Sequence, residues 1–397
     1  MNMFTANASV YGTAVKRVLA GLLLGVGVLA ANCRAQTCDE AGAEAMSRGD
    51  YETAMRVWRP LAEQGDACSL FRVGLLYWEG WGVQKDDAQA ARWWLKAAEA
   101  GDVRAQTNLG AMYLWGRGVP RDEAEALKWT RLAAEAGVPK AQANLAAMYV
   151  NGEGVARDPA QAVRWYQRAA NRGDSNAQFA LGRMFRQGLG VRADFDEAVK
   201  WLRKAAEQGH AAAQSDLGMA YFSGVGVPPD DFEALKWCRL AAAQGLAQAQ
   251  QNLGWAYEHG RGVPPDFREA AKWYRAAADQ GHRDAQLNLG RLCQLGRGVP
   301  VDLPQAVRWY RLAADQGDAT AQVNLGHMYK HGRGIAKDSV EAHFWYSLAA
   351  TSTALDLNVY RVAVRNRDQM AAAITASQAA ENEGRVREWT PKCAPVP

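Results

Sequence analysis

Along most of the chain the apolar residues recur at intervals of three and four, the spacing that gathers them on one side of a helix. Between Gly101 and Gly137, the residues Ala105, Leu109, Met112 and Tyr113 make one such stripe. After a break at Gly116-x-Gly118-Val119, Ala126 and Trp129 begin a second. The pattern predicts two helices, A and B. They are joined by a loop that glycine turns, because glycine accepts backbone angles that other residues avoid. The alternation then repeats. Gly65, Gly101, Gly137, Gly173, Gly209, Gly245, Gly281 and Gly317 stand 36 residues apart. A Gly-x-Gly pair runs at the same step from Gly80/Gly82 to Gly332/Gly334, and a tryptophan column runs from Trp93 to Trp345.

Polar positions keep the same register. Asp86, Asp122, Asp158, Asp194, Asp230, Asp266, Asp302 and Asp338 are each followed three residues later by Glu or Gln. This predicts a capping box at the start of every B helix, with the Asp accepting from first-turn amides and the Glu or Gln side chain reaching back. Each cap is worth about 1 kcal/mol. A third glycine column, Gly74, Gly110 and onward to Gly326, lies within helix A, where a missing side chain lets a neighbouring helix come close. One A/B pair cannot bury both its stripes. Stacked pairs can, which makes the expected fold an all-α solenoid.

The period sets the domain limits. A half-unit with Ala54 and Trp58 precedes the regular repeats, and the period fails after about Ala350. Helical spacing continues over 354–390, with Thr375 and Gln378 as a further capping box. The expected organisation is a leader over 1–35, capping helices over 36–65, eight repeats over 66–353, and capping helices with a tail over 354–397. The leader reading rests on Lys16 and Arg17 followed by an apolar run from Val18 to Ala31, too short to cross a bilayer. Cleavage after Ala35 leaves a soluble, exported chain, periplasmic or secreted. Lipidation at Cys33 fits less well, because Asn32 precedes it.

Composition adds little that the period does not explain. The 38 glycines and 15 tryptophans are mostly the repeat columns. The net charge is +4, and three of the cations (Lys16, Arg17 and Arg34) lie in the leader, leaving +1 for the rest. A near-neutral chain lacks the basic face that a nucleic-acid backbone requires, so no nucleic-acid partner is expected. No later segment is long and apolar enough to span a membrane. Export permits disulfides, and Cys38 with Cys68 is the candidate pair, both lying at the N-terminal end of the fold. Cys238 and Cys293 fall in aromatic columns and read as small buried fillers.

The run Ala105-Gln106-x-Asn108-Leu109-Gly110-x-Met112-Tyr113, then Gly116-x-Gly118-Val119, Asp122, Ala126 and Trp129, resembles the Sel1-like repeat. That repeat is a relative of the tetratricopeptide repeat with a longer inter-helix loop. The resemblance covers roughly 38–390 and recurs eight times. It implies a right-handed superhelical α-solenoid of stacked antiparallel helix pairs, with the A helices lining a groove. It also implies an exported adaptor in signalling, envelope assembly or host contact.

Chemistry is sparse. There is no Gly-x-Ser-x-Gly, His-Glu-x-x-His, P-loop or Ser-x-x-Lys, and the Gly-x-Gly pairs follow helices rather than strands. The regular cysteine pair of relatives described as weak β-lactamases is missing too. No catalytic residue, cofactor or metal is therefore expected. His327 and His331 sit one helical turn apart, but no third ligand accompanies them.

The residues that do not repeat carry the functional expectation. On the outer face of helix A they are Arg183, Arg186, Met219, Phe222, Trp255, His259, Arg291, His327, Lys330 and His331. Arg and Trp are favoured interface anchors, so this stretch is expected to grip a protein segment of some acidic character. Asn108 and its equivalents either clamp a peptide backbone or bond the next repeat. Two alternatives stay open. One is a peptidoglycan or glycan binder, or a weak cell-wall hydrolase, using the exposed aromatics. The other is a secreted factor that binds a host protein.

Overall fold

The structure, a computed structural model, describes residues 39–351 and 357–392. The expected leader, Cys38 and Cys393 lie outside the described residues. Among the described residues there are twenty α-helices and no strand. They fall into two compact units, one ending at Gln208 and the other beginning at Gly209.

The first unit holds α1 (Glu40–Ser47), α2 (Tyr51–Glu63), α3 (Ala67–Glu79), α4 (Asp87–Glu99) and α5 (Val103–Trp115). It continues with α6 (Glu123–Glu135), α7 (Pro139–Asn151), α8 (Pro159–Asn171), α9 (Ser175–Gln187) and α10 (Phe195–Glu207). The second unit holds α11 (Ala211–Ser223), α12 (Asp231–Ala243), α13 (Ala247–His259), α14 (Phe267–Asp279) and α15 (Arg283–Leu295). It ends with α16 (Leu303–Asp315), α17 (Ala319–His331), α18 (Ser339–Thr351), α19 (Leu357–Ala371) and α20 (Ala376–Glu388). From α3 onward the odd-numbered helices to α17 are A helices, and the even-numbered ones to α18 are B helices. Within each unit each helix packs on the next in sequence as far as α19, which is a solenoid, and α20 turns back to pack on α18.

The A stripe is buried as its spacing requires. Ala105, Leu109 and Met112 are buried, and a fully buried leucine contributes about 1.5–3 kcal/mol. The fully buried aromatic of helix B lies one residue past the tryptophan column, at Trp94, Tyr274, Tyr310 and Tyr346. These rings lie against the helix-A glycines. A Cβ on Gly74 would sit 2.5 Å from Trp94, and one on Gly254 would sit 2.6 Å from Tyr274. A 100° step along the helix turns the preceding tryptophan toward the flank. Trp93 and Trp165 are only half-buried, covered by Lys96 at 5.1 Å and Arg168 at 4.5 Å.

The capping boxes are half formed. Asp122 accepts from the Ala124 and Glu125 amides, Asp86 and Asp230 do the same at their own first turns, and Asp194 and Asp302 accept from the amide three residues on. The reciprocal bond is replaced. The backbone N–H of Asp122 donates to the Tyr113 carbonyl at 2.9 Å, closing the loop, and Asp86, Asp158 and Asp266 repeat this with Tyr77, Tyr149 and Tyr257. The freed Glu125 instead accepts from Lys128 and from the Trp129 indole. A reciprocal box is present at Thr375 and Gln378.

The loops join neighbouring repeats through backbone contact. Gly116 ends α5 with φ +65° and donates to the Met112 carbonyl. Gly118, at φ +70°, lies so close to α4 that a Cβ there would be 2.2 Å from the Asp87 carbonyl oxygen.

Glutamines add a second joint. Gln286 Nε2 donates to the Ala278 carbonyl, and Gln286 Oε1 accepts from Gln316 of the following turn at 2.8 Å. Gln250 with Gln280 and Gln178 with Gln208 repeat the pair. At Gln142 the corresponding donor is Arg172, which bonds the Gly137 carbonyl, and the buried Gln142 Oε1 is left without a partner.

Cys68 is held in a disulfide. Cys238 and Cys293 are buried with free thiols, and burial pushes the Cys238 thiol up to about 12.

Candidate functional site

The first unit contains a cleft of about 360 Å³ along the outer faces of α5, α7 and α9. Its origin is a matter of side-chain size. Ala143, Ala147 and Ala180 occupy floor positions where larger residues would close the space. The walls rise on either side. Trp115 stands at the end of α5, 47% exposed, and Leu114 lies beside it. On the far side Arg183 lays its guanidinium over the Phe179 ring at 5.7 Å. Asn144, Asn151 and Asn176 line the cleft with amides that can donate and accept at once.

The lining mixes charges of both signs. Arg121, Lys140 and Arg183 line the cleft together with Glu153 and Asp174. The Asp174 carboxylate is committed to capping α9, accepting from the Ala177 amide at 2.8 Å. Arg121 pairs with Glu123 at its mouth. Burial pulls the Lys140 ammonium below its ordinary pKa, and the charge of Asp174 opposes that shift. The Tyr166 phenol, also in the lining, is pushed up by burial.

Among the expected anchors, Arg183 belongs to this cleft. Arg186 lies on the same helix α9, half-buried. The others lie in the second unit, and most are engaged within it. Phe222 is 7% exposed, a packed residue rather than the exposed aromatic expected. It meets Trp255 edge-on at 5.8 Å, and Trp255 stacks on His259 at 4.8 Å. Arg261 covers both Phe222 and Trp255, bonds Asp231 at 2.6 Å and donates to the Phe222 carbonyl. Arg261 thus ties its loop to the preceding repeat, while Trp255 stays half-buried and His259 exposed.

Arg291 pairs with Glu258 at 2.5 Å, and Glu258 also accepts from the Tyr274 hydroxyl at 2.8 Å. Lys330 donates to Asn366 and Gln369 on α19, so it anchors the C-terminal cap. His327 and His331 place their rings 4.4 Å apart, and Met219 is half-buried on α11. Burial lowers the His327 pKa, with His331, Arg333 and Lys330 adding to it. Among the described residues no cluster of three His, Cys, Asp or Glu side chains is placed to hold a metal. No described helix is long and apolar enough to cross a membrane.

The asparagine column is not uniform. Asn252 donates to Ser215 of the preceding repeat and accepts from Gln248, whereas Asn144 faces the cleft. Sequence reasoning looked for large and charged anchors and passed over Ala143 and Ala180. The signal was there in the run of small residues on successive A helices, which marks a depression only once the helices are known to be adjacent.

Comparison with known proteins follows the same lines. A family model described as Sel1 repeat matches residues 69–102, 103–138, 139–174, 175–210, 211–246, 247–282, 283–318 and 319–352. No curated protein matches the chain. The chain is similar to a Sel1 repeat protein from Oxalobacter formigenes, with 39% identity over 60% of this chain and 98% of that one and a TM-score of 0.57. It is also similar to a protective antigen of uropathogenic Escherichia coli strains that displays an SLR fold. There the identity is 30% over 98% of this chain and 96% of that one, with a TM-score of 0.48.

Proposed function

The chain belongs to the Sel1 repeat family, and from that premise we propose that it is an exported, non-enzymatic scaffold whose first unit holds an extended segment of a partner protein. Sel1 repeat solenoids commonly serve protein–protein interaction. The observation that carries the reading is the alanine-floored cleft between Trp115 and Arg183. Its volume of about 360 Å³ suits a few residues of extended chain, its floor takes an apolar side chain, and its asparagine amides match a peptide backbone. Arg183 favours an acidic residue beside it, which keeps the expectation of a partly acidic segment and moves its centre toward the N-terminal repeats. A rigid helical frame reduces the ordering cost on the scaffold's side.

The test is capture from the extracytoplasmic fraction of the source organism with residues 36–397 as bait. Two variants act as controls, Trp115→Ala with Arg183→Ala, and Ala147→Leu, which fills the floor while removing no wall. A protein held by the parent and lost with both variants supports the reading. Equal retention on all three baits defeats it. Retention of purified peptidoglycan through Trp115, with no protein retained, replaces it with the glycan reading. Retention of a host protein alone points to a secreted factor. The export part is tested separately by N-terminal sequencing of the mature chain, expected to begin at Gln36.

A further inference from the structure

We propose that α20 is an acid-sensitive latch on the last repeat, released when the buried imidazole of His343 takes up a proton. His343 lies on α18, 5% exposed, beneath Asn382 of α20, which is fully buried. The Asn382 amide is pinned at both ends. Its nitrogen donates to the Val340 carbonyl at 2.8 Å, and its oxygen accepts from Arg385 Nη1 at 2.9 Å. The remaining amide hydrogen points to His343 Nδ1, 3.2 Å away. That nitrogen can accept it only while unprotonated, so the neutral ring carries its hydrogen on Nε2. An added proton must go to Nδ1, where it meets an N–H donor. Turning the amide over to present oxygen would forfeit the bonds to Val340 and Arg385 together.

The charges around the ring do not rescue the cation. From α20 come Arg385 and Glu383, from α19 Arg367 and Asp368, and from α18 itself Glu341. Glu341 is held by Arg385 at 2.7 Å, and Arg385 also lies over the Phe344 ring at 4.0 Å. The latch therefore consists of Asn382, Arg385 and the apolar Val386, closed over α18. Burial first, then Arg367, holds the His343 imidazole below its ordinary pKa, while Glu383 and Asp368 pull the other way.

The direction follows from linkage. A base whose pKa is depressed in the closed state binds fewer protons there than in the open state. Above the ordinary imidazole value of about 6.5 the latch keeps its full stability. As pH falls below that value the opening constant rises by up to about tenfold per pH unit, until the closed-state pKa is reached.

The experiment is amide hydrogen exchange on the whole chain at pH 7.5 and 5.0, corrected for intrinsic rates, with NMR titration of the His343 ring. Protection over 376–388 is expected to fall by up to about thirtyfold at pH 5.0, while α4 and α5, which carry no histidine, stay unchanged. His343→Gln keeps a neutral acceptor and is expected to hold α20 equally at both pH values. The proposal is overturned if α20 stays protected with His343 protonated. It is equally overturned if His343→Gln loses α20 in acid as the parent does. Should that variant fail to fold, the parent ring decides. Titration below about 6.5, with the α20 amides following, supports the latch, and titration at or above it refutes the latch.

Discussion

Replacing Gly118 by alanine tests the claim that repeats are joined backbone to backbone through the second glycine of each loop. Gly118 has φ +70°, and a Cβ there would lie 2.2 Å from the Asp87 carbonyl oxygen and 2.5 Å from its carbon. Gly101, at φ +90°, has no atom within 4 Å of the same position and serves as the control. The left-handed conformation costs an alanine about 1–2 kcal/mol. Reduced freedom of the unfolded chain returns about 0.4–1 kcal/mol. Gly101→Ala should therefore lose about 1 kcal/mol. Gly118→Ala bears the same conformational cost and must also push α4 away, since neither contacting atom belongs to a movable side chain. Overpacking of this kind costs about 1–3 kcal/mol more. Urea unfolding followed by circular dichroism measures the two losses, and hydrogen exchange should place the extra opening between α4 and α5. Equal losses in the two variants would refute the reasoning, because the close approach would then carry no energy.

Four further outcomes follow from the joints and the cleft. Gln286→Ala removes the bonds to the Ala278 carbonyl and from Gln316, while the Gly281 amide still serves that carbonyl and the Gly281 carbonyl still takes Gln316, so it should cost about 0.5–1.5 kcal/mol by urea midpoint. Arg172→Gln should instead stabilise by about 1 kcal/mol, by giving Gln142 Oε1 the donor that other repeats supply; a lower midpoint would contradict the ladder. The hydrogen bond from Arg261 holds the Asp231 carboxyl below the usual carboxylate range. Its contribution is complete above about pH 3.9 and is lost as pH falls through the folded pKa. Acid titration of Asp231→Asn should accordingly show a gap from the parent that closes toward pH 2, and a gap constant with pH would rule this out. Ala147→Leu should weaken partner binding at least tenfold, about 1.4 kcal/mol, with an unfolding midpoint close to the parent's.

The repeat itself was legible because it depends on local physics. Helix length follows from where Asp122 caps and Gly116 breaks, and burial of Leu109 follows from spacing along one helix. The capping box shows where local reasoning stops. Asp122 and Glu125 have the right types at the right spacing, yet the amide that Glu125 should satisfy is taken by the Tyr113 carbonyl. A loop that returns to its own helix wins because it satisfies two backbone groups with no side-chain ordering.

The same limit governs the site. Arg291, Lys330 and Phe222 have the composition of interface anchors, and each makes a contact with another part of the chain that no single repeat reveals. Ala143, Ala147 and Ala180 look inert in sequence and make the cleft once α7 and α9 lie side by side. Sequence alone determined the helix pairs, their caps, their period and their buried stripes, since those arise within one repeat. Only the packing of repeats decided which polar side chains stayed available and where space remained, because both depend on partners 30 or more residues away.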